Sequence, residues 1–258
     1  MDALLKAARF IFALAMVGFG VQFFFFVTSM SGPVPGPPWT HRTAFLCLLA
    51  CVGFILAGVS IAIGKMARLV SVLLGAVMLL YGLLRHVPEL MKHLHDPSHW
   101  TVVFEIVAMG GGAWVLAWSF PADGKKYQPS DITVWKLANA GRFLIAISLL
   151  VFAVQHFMYA GFVATLVPSW IPAHLFWAYF TGGAFIASAL AIAANKVMRL
   201  TGMLLGSMFL LWVVVLHAPR VAAALHNGNE VTSLFVALAM SGVGFALAGW
   251  EVGGDEAD

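Results

Sequence analysis

Charge is scarce in this chain. Its 258 residues include 11 acidic and 14 basic side chains, 10% in all, against about 25% in an ordinary soluble domain. So few charges cannot clothe a water-exposed surface. Cysteine is scarcer still, with only Cys47 and Cys51, four residues apart. A disulfide between them would strain a helix, and two thiols without further sulfur ligands do not hold an iron–sulfur cluster. They are expected to be small buried side chains. Dense runs of Lys and Arg are also absent and the net charge is only +3, so nothing points to nucleic acid as a partner.

Apolar residues are abundant, at 62% of the chain. They come in stretches near the ~20 residues that a helix needs to cross a bilayer, where each backbone amide must be satisfied within its own segment. The expected fold is therefore all-α, a polytopic membrane protein with the lipid bilayer as its solvent. Spans are predicted at about 7–29, 43–64, 66–86, 100–120, 140–162, 173–194, 197–217 and 231–251, which makes eight transmembrane helices. Gly64-Lys65 and Asn195-Lys196 leave room only for tight turns. No small-residue cleavage pattern follows the run Phe10–Val27, which reads as a span and not as a signal peptide.

The sequence repeats. Arg9-Phe10 with Gln22 returns as Arg142-Phe143 with Gln155, 133 residues on. Lys65, Arg68 and Leu69 return as Lys196, Arg199 and Leu200, and His86-x-Pro88 as His217-x-Pro219, at an offset of 131. The organisation expected is two parallel four-helix repeats: residues 1–120, a cytoplasmic linker over 121–136, and a second repeat over 137–258.

Basic residues remain on the cytoplasmic side of short loops. One side would hold Lys6, Arg9, Lys65, Arg68, Lys125, Lys126, Lys136, Arg142, Lys196 and Arg199, the other only Arg42, Arg85, Lys92 and Arg220. Both termini are thus expected in the cytoplasm. In that topology His41, His86, His93, His95, His99, His156, His174, His217 and His226 all fall at the outer face or in the outer part of a span. Chemistry is expected there; the plain alternative is that His stands in where Lys and Arg are disfavoured.

The candidate outer cluster comprises Gln155, His156, His174, His217 and Glu105. An ionisable group within a span is costly unless it faces the bundle interior or a water-filled cavity. Three converging imidazoles would suit a metal, haem iron or a proton-exchanging quinone; equally, each could cap a helix end or bond a carbonyl. Phe23 and Thr43 stand in the first half where His156 and His174 stand in the second. Glu105, whose counterpart is Val236, would either relay protons or bond between helices. A second candidate, for copper or zinc, is His93, His95 and His99 beside Asp96; a solvated interfacial loop is the alternative. Trp39, Trp100 and Trp170 are expected as interface residues, and Gly110-Gly111-Gly112 as a site of close helix contact.

The run Ile171-Pro172-Ala173-His174-Leu175-Phe176-Trp177, then Lys196-x-x-Arg199-Leu200, then Leu211-Trp212 and Leu216-His217-Ala218-Pro219-Arg220 resembles the DoxX-like family of small four-helix bacterial membrane proteins. The resemblance covers roughly 140–251 and, through Lys65, Arg68, His86 and Pro88, part of the first half. It implies a bacterial inner (cytoplasmic) membrane. Its relatives include the membrane subunit of an archaeal thiosulfate:quinone oxidoreductase and proteins associated with oxidative or thiol stress. No catalytic residue carries over by motif, and the doubled form departs from the single unit.

Three functions are compatible with these residues. One is a redox-associated subunit that binds a quinone or similar apolar ligand near the outer face. Another is a non-enzymatic accessory or assembly subunit that packs against other membrane subunits. A small-solute carrier ranks last, because the cytoplasmic half of the bundle has few buried polar groups. The first predicts an internal cavity bounded by the histidines, the second a filled core.

Overall fold

The computed structural model describes residues 2–29, 40–121, 130–225 and 227–250. Trp39, His226, Lys125, Lys126 and the linker segment 122–129 lie outside the described residues, as do the side chains of His41, Arg42 and Cys47. Nine helices make up the described chain: α1 Asp2–Ser29, α2 Thr40–Ile63, α3 Ala67–Lys92, α4 Pro97–Trp118, α5 Asp131–Met158, the short α6 Ala160–Leu166, α7 His174–Ala193, α8 Met198–Ala223 and α9 Gly228–Ala248. No strand occurs among the described residues.

Seven of these helices are long and apolar enough to cross a membrane, and the apolar stretch Leu48–Ile63 of α2 is shorter. Their outer surfaces suit lipid and not water: Leu56, Val77, Leu204 and Val214 are each 63% exposed.

Local chemistry explains most helix ends. Asp96 caps α4 by accepting from the Ser98 amide, and Asn227 caps α9 by accepting from the Asn229 amide. Ser130 caps α5, so helix begins at Asp131 and takes in residues that the sequence assigned to a linker ending at 136. The two tight turns are present. Gly64 has φ 73° and Met66 φ 54°, while Asn195 has φ 53° and Val197 φ 45°. These left-handed residues reverse the chain within a few positions.

Two spans run further than expected. The sequence ends the third and seventh at His86 and His217, just before Pro88 and Pro219. The structure instead widens one turn of each helix into a π-turn, Gly82–His86 and Val213–His217, and continues to Lys92 and Ala223. A proline lacks its N–H and its ring collides with the carbonyl four residues back; one wider turn accommodates both effects without ending the helix. The fifth span differs too, since α5 stops at Met158 and a break at Tyr159 starts α6.

Packing links the helices in a ring. α1 lies against α2, α2 against α3, α3 against α4, α4 against α5, α5 against α7, α7 against α8, α8 against α9, and α9 returns to α1; α4 and α9 also meet across the middle. Thus α1 docks on α9, from the far half of the chain, and α5 docks on α4. Close approach makes these docks. A methyl on Gly141 would stand 2.3 Å from the Gly111 carbonyl oxygen, and one on Gly242 would stand 2.8 Å from the Phe12 nitrogen. Every residue from Val236 to Ala248 is buried, and Phe12, Met16, Leu116, Ile145, Leu149, Phe185 and Met240 fill the core around that helix.

Candidate functional site

The arginine-rich end of the bundle is tied by its own charges. Arg68, 3% exposed, meets Asp131 at 2.6 Å and so pins α3 to the first turn of α5. Arg142 donates to the Ile192 carbonyl and to Asn139, both at 2.8 Å, and Arg9 donates to Ser119. These contacts hold helix ends and offer no reactive group.

At the opposite end, Gln155 Nε2 donates to the Pro97 carbonyl at 2.9 Å and its Oε1 accepts from Thr101 at 3.1 Å. Gln22 does the same on the other side of the bundle, donating to the Gly228 carbonyl at 2.9 Å and to Thr232 at 2.7 Å. Each Gln locks the first helix of one half to the opening turn of the last helix of the other. The Gln155 amide is spent on this contact.

His156 lies one residue on and faces α7 and α8. Its Nδ1 is 2.8 Å from the Phe152 carbonyl oxygen. A carbonyl can only accept, so Nδ1 carries hydrogen and Nε2 keeps its lone pair in the neutral ring. The imidazole stands edge-on to Phe185, centroids 5.2 Å apart, and nearly parallel to Trp212 at 6.4 Å. In the first half Phe23 meets Phe54 at 5.9 Å in the corresponding place. A phenyl ring therefore satisfies the packing there, and the imidazole adds a ring nitrogen. The sequence singled out His156 but not its partners Phe185 and Trp212, whose approach is decided by helix packing.

The other expected members do not join it. His174 begins α7 after Ala173 at φ 58°, and among the described residues no hydrogen bond, ion pair or ring contact links it to His156 or His217. His217 ends the π-turn of α8, with a buried Nδ1 that has no hydrogen-bond partner. One turn on, Arg220 grips Glu230 with two bonds, Nε to Oε2 at 2.8 Å and Nη2 to Oε1 at 2.6 Å, tying α8 to the first turn of α9. That pairing was not read from the sequence, in which Arg220 and Glu230 are ten residues apart on different elements. Glu105 lies on the α4 stripe that includes Thr101 and Gly112, turned towards α5 and α9 and away from the His156 rings.

In the loop between α3 and α4, His93 and His99 stack at 4.9 Å and His99 Nε2 stands 3.9 Å from Asp96. The Ser98 hydroxyl and amide hold the Asp96 carboxyl below its usual range. His95 joins neither contact. Among the described residues no three His, Cys, Asp or Glu side chains gather into a set that could hold a metal, so the expected trio His93, His95 and His99 is not assembled. Asp96 serves instead as a helix cap.

Two surface depressions stand out. One of about 540 Å³ is lined by Lys92–Pro97, and one of about 440 Å³ by Val197, Arg199, Leu200 and Met203. Neither is lined by His156, His174, His217 or Glu105. Copper does not fit His156, which offers a single donor; a haem would need a deep slot that neither depression supplies there. A planar ligand that gives one hydrogen bond to Nε2 beside aromatic faces fits these residues.

Fold and site together define a helical membrane protein with one imidazole set in an aromatic cluster at its histidine-rich end. No family model matches the chain, and no curated protein or solved structure is similar to it.

Proposed function

We propose that this chain is a DoxX-like, redox-associated membrane subunit that binds a quinone or similar apolar ring against His156. In this reading it crosses a bacterial inner membrane eight times as two parallel four-helix repeats, with both termini in the cytoplasm and His156 towards the outer face. The matched features at an offset of 131 support the repeats: left-handed turns at Met66 and Val197, π-turns at Gly82–His86 and Val213–His217, and Asx caps at Asp96 and Asn227. In this reading α2 is the eighth crossing, its 24 residues being long enough to cross a bilayer.

The observation that carries the ligand reading is His156 Nδ1–H bonded to the Phe152 carbonyl, at a position where the other half is content with Phe23. The fixed tautomer leaves Nε2 to accept a hydrogen bond from a quinol hydroxyl. An imidazole nitrogen with its lone pair free is suited to exchange that proton with a bound quinol. Phe185 and Trp212 give the ring apolar company. The ligand would lie against the helix surface from the lipid side.

The test uses the full chain in mild detergent beside His156→Phe. Near-stoichiometric extractable quinone in the wild type, lost in the variant with thermal stability unchanged, is the expected result. A wild type that carries no quinone and takes up none of an added short-chain quinone overturns the reading.

A second reading, the non-enzymatic accessory subunit, is favoured by the close-packed crossing of Gly111 on Gly141 and by depressions that His156, His174 and His217 do not line. Co-purification with other membrane chains in a fixed ratio, together with a quinone-free preparation, would establish it.

A further inference from the structure

Glu105 is a candidate residue that neither the helix-end contacts nor the His156 cluster employs. It sits two turns into α4, a helix with no other acidic or basic residue between Trp100 and Trp118. Helical spacing fixes its direction. Thr101, one turn before it, bonds Gln155 on α5, and Gly112, two turns after it, abuts Val243 on α9. Glu105 therefore lies in the seam where the two halves of the chain meet, and Val236 holds the corresponding position on α9, 8% exposed. Glu105 is half-buried and keeps a partial opening to the surface of the bundle.

No hydrogen bond or ion pair reaches Glu105 among the described residues. The titratable groups on the elements packed against α4 are engaged elsewhere. On α3, Arg85 pairs with Glu89 and His86 stands against Tyr81; on α5, His156 bonds Phe152; on α9, Glu230 is held by Arg220. On α4 itself His99 stacks on His93 in the loop beyond the helix start. A carboxylate in a membrane-spanning helix is costly to keep charged without a cation beside it.

We propose that Glu105 is a proton-exchange site: a carboxyl with no ion partner in the seam between the halves, one turn from the Thr101–Gln155 bond and open to a lipid-soluble carboxyl reagent. This site is independent of ligand binding at His156. Its chemistry with dicyclohexylcarbodiimide requires the acid form. The carboxyl O–H bond breaks and its proton goes to one carbodiimide nitrogen. The freed oxygen bonds the central carbon in place of one C=N π bond, and the acyl group then shifts to nitrogen as a stable N-acylurea. The reagent adds whole, with no leaving group.

The full chain in membranes is treated with dicyclohexylcarbodiimide between pH 5 and pH 9 and digested, and the mass of the α4 peptide is read. The expected result is one reagent mass on Glu105 and none on Glu105→Gln or Glu105→Val. Labelling should slow at least tenfold towards the alkaline end, while a water-soluble carbodiimide labels exposed Asp96 and spares Glu105. Glu105→Val copies the residue of the other half, so it keeps the fold. Absence of adduct on Glu105 at every pH, or equal labelling of Glu105 by the water-soluble reagent, overturns the proposal. Loss of the His156 ligand in the other experiment leaves this result unmoved.

Discussion

Gly112 and Val243 face each other where α4 crosses α9, so closely that a methyl on Gly112 would stand 2.2 Å from Val243 Cγ2. The two positions lie 131 residues apart in the chain, and they join the two most buried helices of the bundle. Gly112→Ala is expected to cost about 1–3 kcal/mol, as overpacking of a filled core does. Val243→Ala in the same chain should return most of that loss. Denaturant titration in detergent checks both, and a single Gly112→Ala variant as stable as the wild type would show that the crossing is looser than described.

Gln155 and Gln22 make parallel contacts, so their substitution by Leu should act alike. Each loss is expected near 1 kcal/mol, the scale of side-chain hydrogen bonds between membrane helices. Bound quinone in Gln155→Leu should match the wild type. If that variant lost ligand yet kept its unfolding midpoint, Gln155 would belong to the binding site after all.

His156→Phe should leave stability within about 0.5 kcal/mol, because Phe23 already fills the corresponding space. His156→Ala removes a ring from between Phe185 and Trp212 and is expected to lose about 1–2 kcal/mol. Comparing the two melting curves separates packing from the ring nitrogen.

Asp96 has a depressed carboxyl pKa through its bonds from Ser98, so its cap contributes stability above the ordinary value of 3.8 and loses it as pH falls through the lower folded value. Ser98→Ala should move the carboxyl back up. Carbon-detected NMR of labelled Asp follows the shift, and an unchanged titration would mean that Ser98 does not hold the carboxyl in solution.

Helix content and the wish for lipid were legible in the sequence, because spanning segments need only length and apolarity, and both are local. The turns at Gly64-Lys65 and Asn195-Lys196 were legible for the same reason: too few residues separate the flanking spans for anything longer. The spans ending at His86 and His217 fell short, because the π-turns that carry each helix on past Pro88 and Pro219 leave no mark in length or apolarity. The break at Tyr159 carried no composition signal at all.

Sequence by itself determined that this protein is a set of apolar helices and where its polar residues lie along them. Only the tertiary structure decided which helix faces meet. It docks α1 on α9 and α5 on α4, puts Gln155 into a helix lock, turns His156 towards Phe185 and Trp212, and leaves Glu105 alone in the seam. The reason is physical: hydropathy sets whether a helix is buried in lipid, whereas the partner of each side chain depends on close contacts such as Gly111 on Gly141, between residues that the sequence keeps thirty or more positions apart.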